Sequence, residues 1–375
     1  MMLWFSNVWT LAAKELRSLL MDRVLVALIL FAFSVAVLLV AQGVKAEVAN
    51  ATVGIIDGDR SELSLRLRDA FRPPYFKTPR DIARADVAPA MDAGRIIFVI
   101  EIPPRFQADL IAGRSPEVQV LVDATAMTQA GLGAAYIQQI VADEALEFLH
   151  ARGLLAAAPV GVVSHIRFNP NATSSWYTSV MLIVIDVTVL AIILVGAAVI
   201  REREHGTIEH LLVMPVRASE IAFAKILANG LVIFVAAFGS LILVVHGLLG
   251  VPLAGSLWLF AGAMTLYLFA VTALGVFMAT LASSMPQFGM LSVPVYAIAY
   301  LLSGAATPIE SMPPDLQVVA RVLPTTQFVT LSQAILYRGA GIAAVWPQIL
   351  AITVWGSLFV GLALQRFRAM LARQG

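Results

Sequence analysis

Long apolar stretches separated by short polar segments dominate the chain. A membrane-spanning helix needs about 20 apolar residues. One stretch from Ile226 to Ile309 has 84 residues without an Asp, Glu, Lys or Arg, which is room for three spans. The pattern as a whole predicts six spans, at Val24–Gly43, Trp176–Ile200, Ile221–Leu248, Ser256–Leu281, Phe288–Ala306 and Val345–Leu364.

Residues 1–23 precede the first span and contain an amphipathic pattern. From 5 to 21, apolar residues recur at steps of three and four, while Lys14, Glu15 and Arg17 lie mostly on the other side. With Trp4 and Trp9 nearby, this segment predicts a helix in the membrane interface; the alternative is the first turns of a longer span. The first span itself, 24–43, is interpreted as an uncleaved anchor, because the segment before it is long and carries acidic residues, unlike a secretory signal.

Residues 44–175 form a polar insert of typical domain size. Strand-like runs occur at 52–56, 95–101 and 118–122, and helical patterns occur near 60–71, 104–112 and 128–150. Strands alternating with helices predict an α/β domain. Asp57 and Asp123 follow strands, and both are interpreted as turn residues rather than as catalytic carboxylates.

The segment 303–339 is neither a full span nor an ordinary loop. It contains two moderately apolar pieces, 315–322 and 326–337, separated by Pro324, and each is too short to cross a bilayer. The pattern favours a re-entrant hairpin over 307–339 that is packed inside protein. Two helices resting on the outer leaflet are the alternative.

Charge sets the class of protein and its orientation. Charged residues make up 13% of the chain and hydrophobic ones 59%, whereas soluble proteins carry roughly 25% charged residues. With the N-terminus inside, ten Lys and Arg residues fall in the cytosolic segments and two, Arg321 and Arg338, fall in the short outer ones. The positive-inside rule therefore predicts cytosolic termini and an outer location for residues 44–175. The absence of Cys excludes disulfides and thiolate metal sites.

The charged segment Arg201–Pro215, between the second and third spans, is the strongest candidate for a docking site. The chain contains no phosphate-binding loop, no dinucleotide fingerprint and no H-E-x-x-H motif, so any nucleotide must be bound by another polypeptide. Polar side chains here would be exposed, and Leu211 and Leu212 would anchor in a groove of the partner. A solvated loop that only sets topology is the alternative. The residues assigned to coupling are Glu202, Arg203, Glu204, His205, Gly206, Thr207, Glu209, His210, Leu211 and Leu212.

Asp186 is the one formally charged residue between Trp176 and Ile200. A charge at the centre of a span is costly, so this position predicts a polar partner, a water-filled cavity or a protonated acid. One hypothesis places Asp186 on a substrate path or a proton relay. The other makes it a neutral acid bonded to a neighbouring helix.

Four stretches resemble one known family. They are AKELR at 13–17 with Asp22-Arg23; VGIIDGDRSELS at 53–64; EREHGTIEHLLVMP at 202–215; and SGAATPIESMP at 303–313, continued by PTTQF at 324–328 and by 337–339. The chain is similar to the permease subunits of type 2 ATP-binding-cassette (ABC) exporters, in the bacterial subgroup with a large periplasmic domain between the first two spans. The third stretch is the most specific.

The resemblance implies a dimer of six-span subunits, alike or paired with a homologous permease, with two separate ABC ATPase subunits that hold ATP and Mg. It implies that 202–215 touches the ATPase, that 5–21 lies near it, and that a periplasmic adaptor can take part. It also implies an outer gate in the re-entrant region. The gate residues so assigned are Pro308, Met312, Pro313, Pro324 and Phe328.

The resulting expectation is an α-helical polytopic protein of the bacterial inner membrane, with an inserted α/β periplasmic domain (44–175) followed by five spans (176–375) and a coupling helix (201–216). The chain would move an amphipathic or drug-like molecule outward, with no cofactor, metal or catalytic residue of its own. Two alternatives stay open. One is an ATPase-driven mechanotransmitter that regulates periplasmic partners, and the other is a proton-coupled transporter that uses Asp186.

Overall fold

A computed structural model describes residues 2–43, 50–123, 127–154, 173–204 and 216–371. The chain divides into two compact units. The helical unit comprises Met1–Gly43 and Ser175–Gly375, and the inserted unit comprises Val44–Ser174.

The helical unit begins with two helices that meet at Asp22. Helix α1 is Met2–Met21, and α2 is Arg23–Gly43, with a π-helical stretch at Phe31–Ala36. Asp22 accepts a hydrogen bond from the backbone N–H of Leu25 at 3.1 Å, which satisfies one of the free donors at the start of α2. The predicted amphipathic segment 5–21 is therefore a helix separate from the first span.

The described residues of the inserted unit form four strands: β1 (Val53–Asp57), β2 (Arg80–Asp81), β3 (Phe98–Ile102) and β4 (Gln119–Val122). The sheet order is β2-β1-β3-β4, with β4 antiparallel to β3 and the other neighbours parallel. Its helices are α3 (Glu62–Ala70), α4 (Val87–Asp92), α5 (Phe106–Ile111) and α6 (Met127–Ala151).

Helix α6 packs closely on this sheet because Gly133 leaves room for the ring of Phe98. A Cβ atom at Gly133 would lie 2.2 Å from that ring. Asp57 at the end of β1 accepts hydrogen bonds from the N–H groups of Asp59 and Arg60 and from the hydroxyl of Ser64. These contacts agree with the interpretation of Asp57 as a turn residue.

After the insert, the described part of the helical unit contains seven α-helices. They are α7 (Ser174–Glu204), α8 (Ala218–Leu248), α9 (Leu257–Leu281), α10 (Met285–Leu301), α11 (Pro314–Val322), α12 (Pro324–Leu336) and α13 (Ile342–Leu371). Five of the described helices, α2, α7, α8, α9 and α13, are long and apolar enough to cross a membrane. The chain is thus a mostly helical protein of polytopic membrane type. The sixth span stays a prediction, because α10 has only 17 residues and ends at Leu301, before the expected Ala306.

Helix α9 lies at the centre of the helical unit. A Cβ atom at Gly275 would lie 2.4 Å from the side chain of Val195 of α7. The backbone of α9 at Gly275 therefore packs directly against that side chain. Gly356 of α13 lies similarly close to Ala270 of α9. Small residues at these crossings allow helices to approach closely in a membrane, where packing drives association.

The sequence 303–339 forms two short helices, and Pro324 plays a different part from the one expected. It is the first residue of α12 rather than a break between helices, and Leu323 alone separates α11 from α12. Proline suits the first helical position because its missing N–H would have no partner there. The depth of these helices in the membrane stays a prediction.

Candidate coupling site

Lys225 stands at the centre of a buried charged cluster that joins three helices. It lies one turn into the apolar part of α8, and its side chain is only 1% exposed. The Nζ atom lies 3.1 Å from Oε1 of Glu15 on α1 and 2.8 Å from Oε2 of Glu202 on α7. We call Glu15, Glu202 and Lys225 the charged cluster.

The charged cluster is strong evidence for a fixed arrangement of α1, α7 and α8. Removing a charge from water costs several kcal/mol, and a close partner of opposite charge offsets that cost. Two carboxylates share one ammonium here, so neither α1 nor α7 can leave α8 without exposing or stranding a charge. The cluster therefore links α1, α7 and α8 through buried ion pairs.

Further contacts fix α1 along the start of α8. The indole N–H of Trp4 donates to the hydroxyl of Ser219 at 3.3 Å, and the Asn7 amide donates to Glu220 at 3.3 Å. The Trp4 ring also meets the Phe223 ring edge-on, with centroids 5.4 Å apart. The amphipathic helix therefore uses one face to dock on α8.

The last turn of α7 makes further contacts, and the described part of this helix ends at Glu204. Arg201 lies 3.4 Å from Asp22, at the junction of α1 and α2. Glu204 accepts a hydrogen bond from the backbone N–H of Met285 at 2.9 Å. That N–H belongs to the first turn of α10, where the helix dipole favours a negative charge. The end of α7 is thus tied to α1, α8 and α10.

The structure changes the interpretation of one coupling residue. Glu202 was expected to be exposed, but its side chain is only 17% exposed because it faces Lys225. Arg203 is half-buried beside Met370, and Glu204 is exposed. The remaining assigned residues lie outside the described part of the chain; they are His205, Gly206, Thr207, Glu209, His210, Leu211 and Leu212.

A second set of polar side chains lies at the opposite end of α7, around Tyr177. The Tyr177 hydroxyl donates to the carbonyl oxygens of Gly304 and Ala305 at 3.2 and 3.1 Å, and accepts from the Gln333 amide at 3.2 Å. The Tyr337 hydroxyl donates to the Trp176 carbonyl at 3.0 Å. We call Tyr177, Gln333 and Tyr337 the tyrosine cluster. Burial raises the pKa of Tyr337 well above its ordinary value, so this phenol stays neutral and keeps its donor.

The five assigned gate residues do not form one group. Phe328 is fully buried and stacks on Tyr267, with ring centroids 4.1 Å apart, and Pro324 is buried at the start of α12. Met312 is half-buried, whereas Pro308 and Pro313 are exposed. Phe328 and Pro324 therefore have a packing role in the structure, and a gate made of all five stays a prediction.

Asp186 lies in the middle of α7 and is half-buried. Within the described residues, no hydrogen bond or ion pair reaches its carboxylate. In the same part of the chain, no three His, Asp or Glu side chains come together as a metal site would require. The polar helix partner that one hypothesis gave Asp186 is therefore not seen.

Sequence reasoning missed the charged cluster. Its members are 13, 17 and 1% exposed in a mostly apolar unit, yet they are far apart in the chain. Lys225 was counted only as a topology signal. The position of Lys225 within an apolar run of the sequence predicts that it is buried. A buried lysine needs a carboxylate nearby, so this position could have indicated the cluster.

The family comparison agrees with the stretches quoted above. The model described as ABC-2 family transporter protein matches residues 23–364. The chain is 47% identical over 362 residues to the inner membrane transport permease YhhJ of Escherichia coli (strain K12), covering 96% of this chain and 97% of that one.

Two further relatives come from the same organism. The probable multidrug ABC transporter permease YbhR is 29% identical over 360 residues, covering 93% of this chain and 95% of its own. The probable multidrug ABC transporter permease YbhS is 25% identical over 368 residues, covering 95% of each chain. The family match includes both units of the fold, and this chain belongs to the ABC-2 family of transporter permeases.

Proposed function

We propose that this chain is the permease subunit of an ATP-driven exporter that moves an amphipathic, drug-like molecule out of the cell. Membership of the ABC-2 family implies ABC ATPase partners, which bind the ATP and Mg that this chain has no motif to bind. YbhR and YbhS are named as probable multidrug ABC transporter permeases, which supports a drug-like substrate.

The observation that carries this proposal is the charged cluster. Lys225 ties Glu15 of α1 to Glu202 of α7, two residues before the end of that helix and directly before residues 205–215. A force applied to 202–215 by an ATPase therefore reaches α1, α7 and α8 together. Binding and hydrolysis of ATP on the partner would use this connection to shift the balance between two access states of the permease.

The rest of the assembly is proposed on the same basis. Two permease copies, or this chain and a homologous one, enclose the substrate path, and residues 44–175 lie in the periplasm, where an adaptor can dock. The chain lies in the bacterial inner membrane, and both of its termini lie in the cytosol. The segment 307–339 closes the outer end, where the tyrosine cluster holds α12 against the start of α7.

Co-purification tests the proposal. The chain is co-expressed with the genes that neighbour its own, and the amount of any ATPase that elutes with the permease is measured for the unaltered chain and for Glu204→Ala/Glu209→Ala/Leu212→Ala. We expect co-elution that the triple variant abolishes, because it removes two charges and an apolar anchor from the docking segment.

A matched control separates docking from general damage. Glu117→Ala/Glu147→Ala/Leu132→Ala removes the same residue types from exposed positions of the inserted unit and should leave co-elution unchanged. A stable permease that never co-elutes with an ATPase contradicts the proposal. ATP-independent, pH-driven flux by the purified chain would then favour the proton-coupled alternative.

A further inference from the structure

Helix α7 leaves one narrow stripe uncovered, and Asp186 lies on it. From Val180 to Ile200, every residue is buried except Leu182, Asp186, Val189 and Ile193. These four positions are spaced by four, three and four residues, which is the spacing of one helical face. The unit therefore covers α7 on all sides but one, and its only formal charge before Arg201 is on the open side.

Helix α10 borders this stripe and runs antiparallel to α7. A Cβ atom at Gly196 would lie 2.0 Å from the Phe288 ring, which places the start of α10 against the later part of α7. At the other end, Tyr177 reaches the carbonyl oxygen of Ala305, just beyond α10. With a rise of about 1.5 Å per residue, Asp186 lies about 15 Å from the Gly196–Phe288 contact. Tyr296 and Tyr300 lie about 12 and 18 Å from it on α10, so Asp186 falls between them in depth.

Ideal helix geometry places both tyrosines on the same side of the helix pair as Asp186. At about 100° per residue, Asp186 is rotated about 80° from Gly196, away from Thr188, which contacts α9 through Tyr267. Tyr296 and Tyr300 are rotated about 80° and 120° from Phe288 in the same sense. Equal rotations on two antiparallel helices lead to the same side.

The exposure of the tyrosines agrees with this placement. Tyr296 is 43% and Tyr300 is 40% exposed, and their rings stack on each other with centroids 6.0 Å apart. The carboxylate and the two rings thus share the open side of α7 and α10, beside the apolar side chains of Leu182 and Val189.

These groups together have the chemistry of a cation site. Neither α10 nor the part of α7 before Arg201 contains a Lys or Arg that could neutralise Asp186. Tyrosine faces attract cations, and most strongly where water is excluded. A metal ion would need more oxygen or nitrogen ligands than the described residues bring together. An organic cation needs only one carboxylate, aromatic faces and apolar walls.

We propose that Asp186, Tyr296 and Tyr300 form a recognition site for hydrophobic organic cations. The site rests on the proposed function, because it makes such cations the preferred class of exported molecule. Asp186 contributes the charge preference, and the two rings with the apolar stripe hold the body of the ligand.

Two probes of equal shape and opposite charge test the site. Tetraphenylphosphonium and tetraphenylborate are offered to the purified full-length chain in nanodiscs, and binding is measured by equilibrium dialysis against empty nanodiscs. We expect the chain to prefer the phosphonium. Asp186→Asn should weaken phosphonium binding by about tenfold or more, since one lost ion pair worth 1.4 kcal/mol is a factor of ten. Tyr300→Leu should weaken it by roughly threefold.

Two variants control the assignment. Asp186→Glu keeps the carboxylate and should retain the preference for the phosphonium. Asp315→Asn removes an exposed carboxylate of α11, a helix that contributes no residue to the site, and should bind as the unaltered chain does. Equal binding of the two probes, no binding of the phosphonium, or an Asp186→Asn chain that binds normally would each overturn the site.

Binding is measured without nucleotide or ATPase, so its outcome is separate from that of co-purification. If the phosphonium binds through Asp186 but no ATPase co-elutes, the cation site stands and the ATP-driven exporter does not. If the ATPase co-elutes but Asp186→Asn changes nothing, the exporter stands and the substrate class does not.

Discussion

Lys225 is the most deeply buried charged residue among the described residues of the helical unit. Its ammonium faces two carboxylates from helices that are distant in sequence, and water hardly reaches it. The two ion pairs of Lys225 therefore hold α1 and α7 against α8. Isolated surface pairs contribute little to stability, but a buried pair that loses one partner leaves an uncompensated charge.

Lys225→Met is expected to lower the free energy of unfolding by about 3–5 kcal/mol. Methionine fills a similar volume but leaves Glu15 and Glu202 close together without a cation. Thermal unfolding of the purified permease, followed by tryptophan fluorescence, measures the loss. Lys14→Met, at an exposed position of α1, is the matched control and should change stability little.

A rescue variant shows whether charge is the cause. Lys225→Met/Glu15→Gln/Glu202→Gln removes all three charges together and should recover much of the lost stability. A Lys225→Met chain as stable as Lys14→Met would contradict the charged cluster.

Single residues were the hardest features to predict from the sequence. Asp186 stood out because no other residue between Trp176 and Ile200 is formally charged, so a local window reveals it. Lys225 depends on partners 210 and 23 positions away, which no local pattern shows. Phe328 of α12 stacks on Tyr267 of α9, a contact that no local pattern shows, and its assignment to the gate stays a prediction.

The close crossing of α7 and α9 is the element-level feature that most constrains the helical unit. Gly275 meets the side chain of Val195 and the backbone of Ile192, so neither neighbour can yield without moving α7 itself. The crossing therefore fixes α7 against α9 at a point between the charged cluster and the tyrosine cluster, which lie at the two ends of α7.

Gly275→Ala should destabilise the permease by about 1–3 kcal/mol, because a new methyl group would lie 2.8 Å from the Ile192 carbonyl oxygen. Gly262→Ala, on the same helix, meets nothing within 4 Å and should not lower stability. The difference in unfolding temperature between the two variants measures the effect. Equal stability of both would show that α7 and α9 do not cross at Gly275.

Elements with a strong pattern were predictable, and short ones were not. The strand-like runs at 52–56 and 118–122 correspond to β1 and β4, and the helical pattern at 128–150 corresponds to α6. Strand β2 has two residues and depends on pairing with β1, so it has no period to detect. Helix α4 was missed because its short sequence, VAPAMD, contains a proline in its first turn.

At the scale of the molecule, α7 is the element that links the proposed functions. Its 31 residues span about 46 Å, from Tyr177 near one end to Glu202 near the other. Asp186 lies between them, on the stripe that the unit leaves open. A displacement at the charged cluster therefore passes the proposed cation site before it reaches the segment assigned to the outer gate.

The proposed export requires the charged cluster to face the cytosol, where an ATPase can reach it. The orientation of this chain in the membrane can be tested directly. It contains no cysteine, so a single introduced thiol is the only target for a maleimide. Thr78 in the inserted unit and Lys14 on α1 are both exposed, which makes Thr78→Cys and Lys14→Cys a matched pair. The basic residues of the short segments predict that they lie on opposite sides of the membrane.

Spheroplasts are treated with a membrane-impermeant maleimide before and after permeabilisation, and labelling of the permease is read on a gel. We expect Thr78→Cys to label in intact spheroplasts and Lys14→Cys to label only after permeabilisation, whereas the unaltered chain should not label at all. The reverse pattern would place α1 and the charged cluster outside, beyond the reach of any cytosolic ATPase. Such a result would remove coupling through residues 202–215 while leaving the packing of the helices as it is.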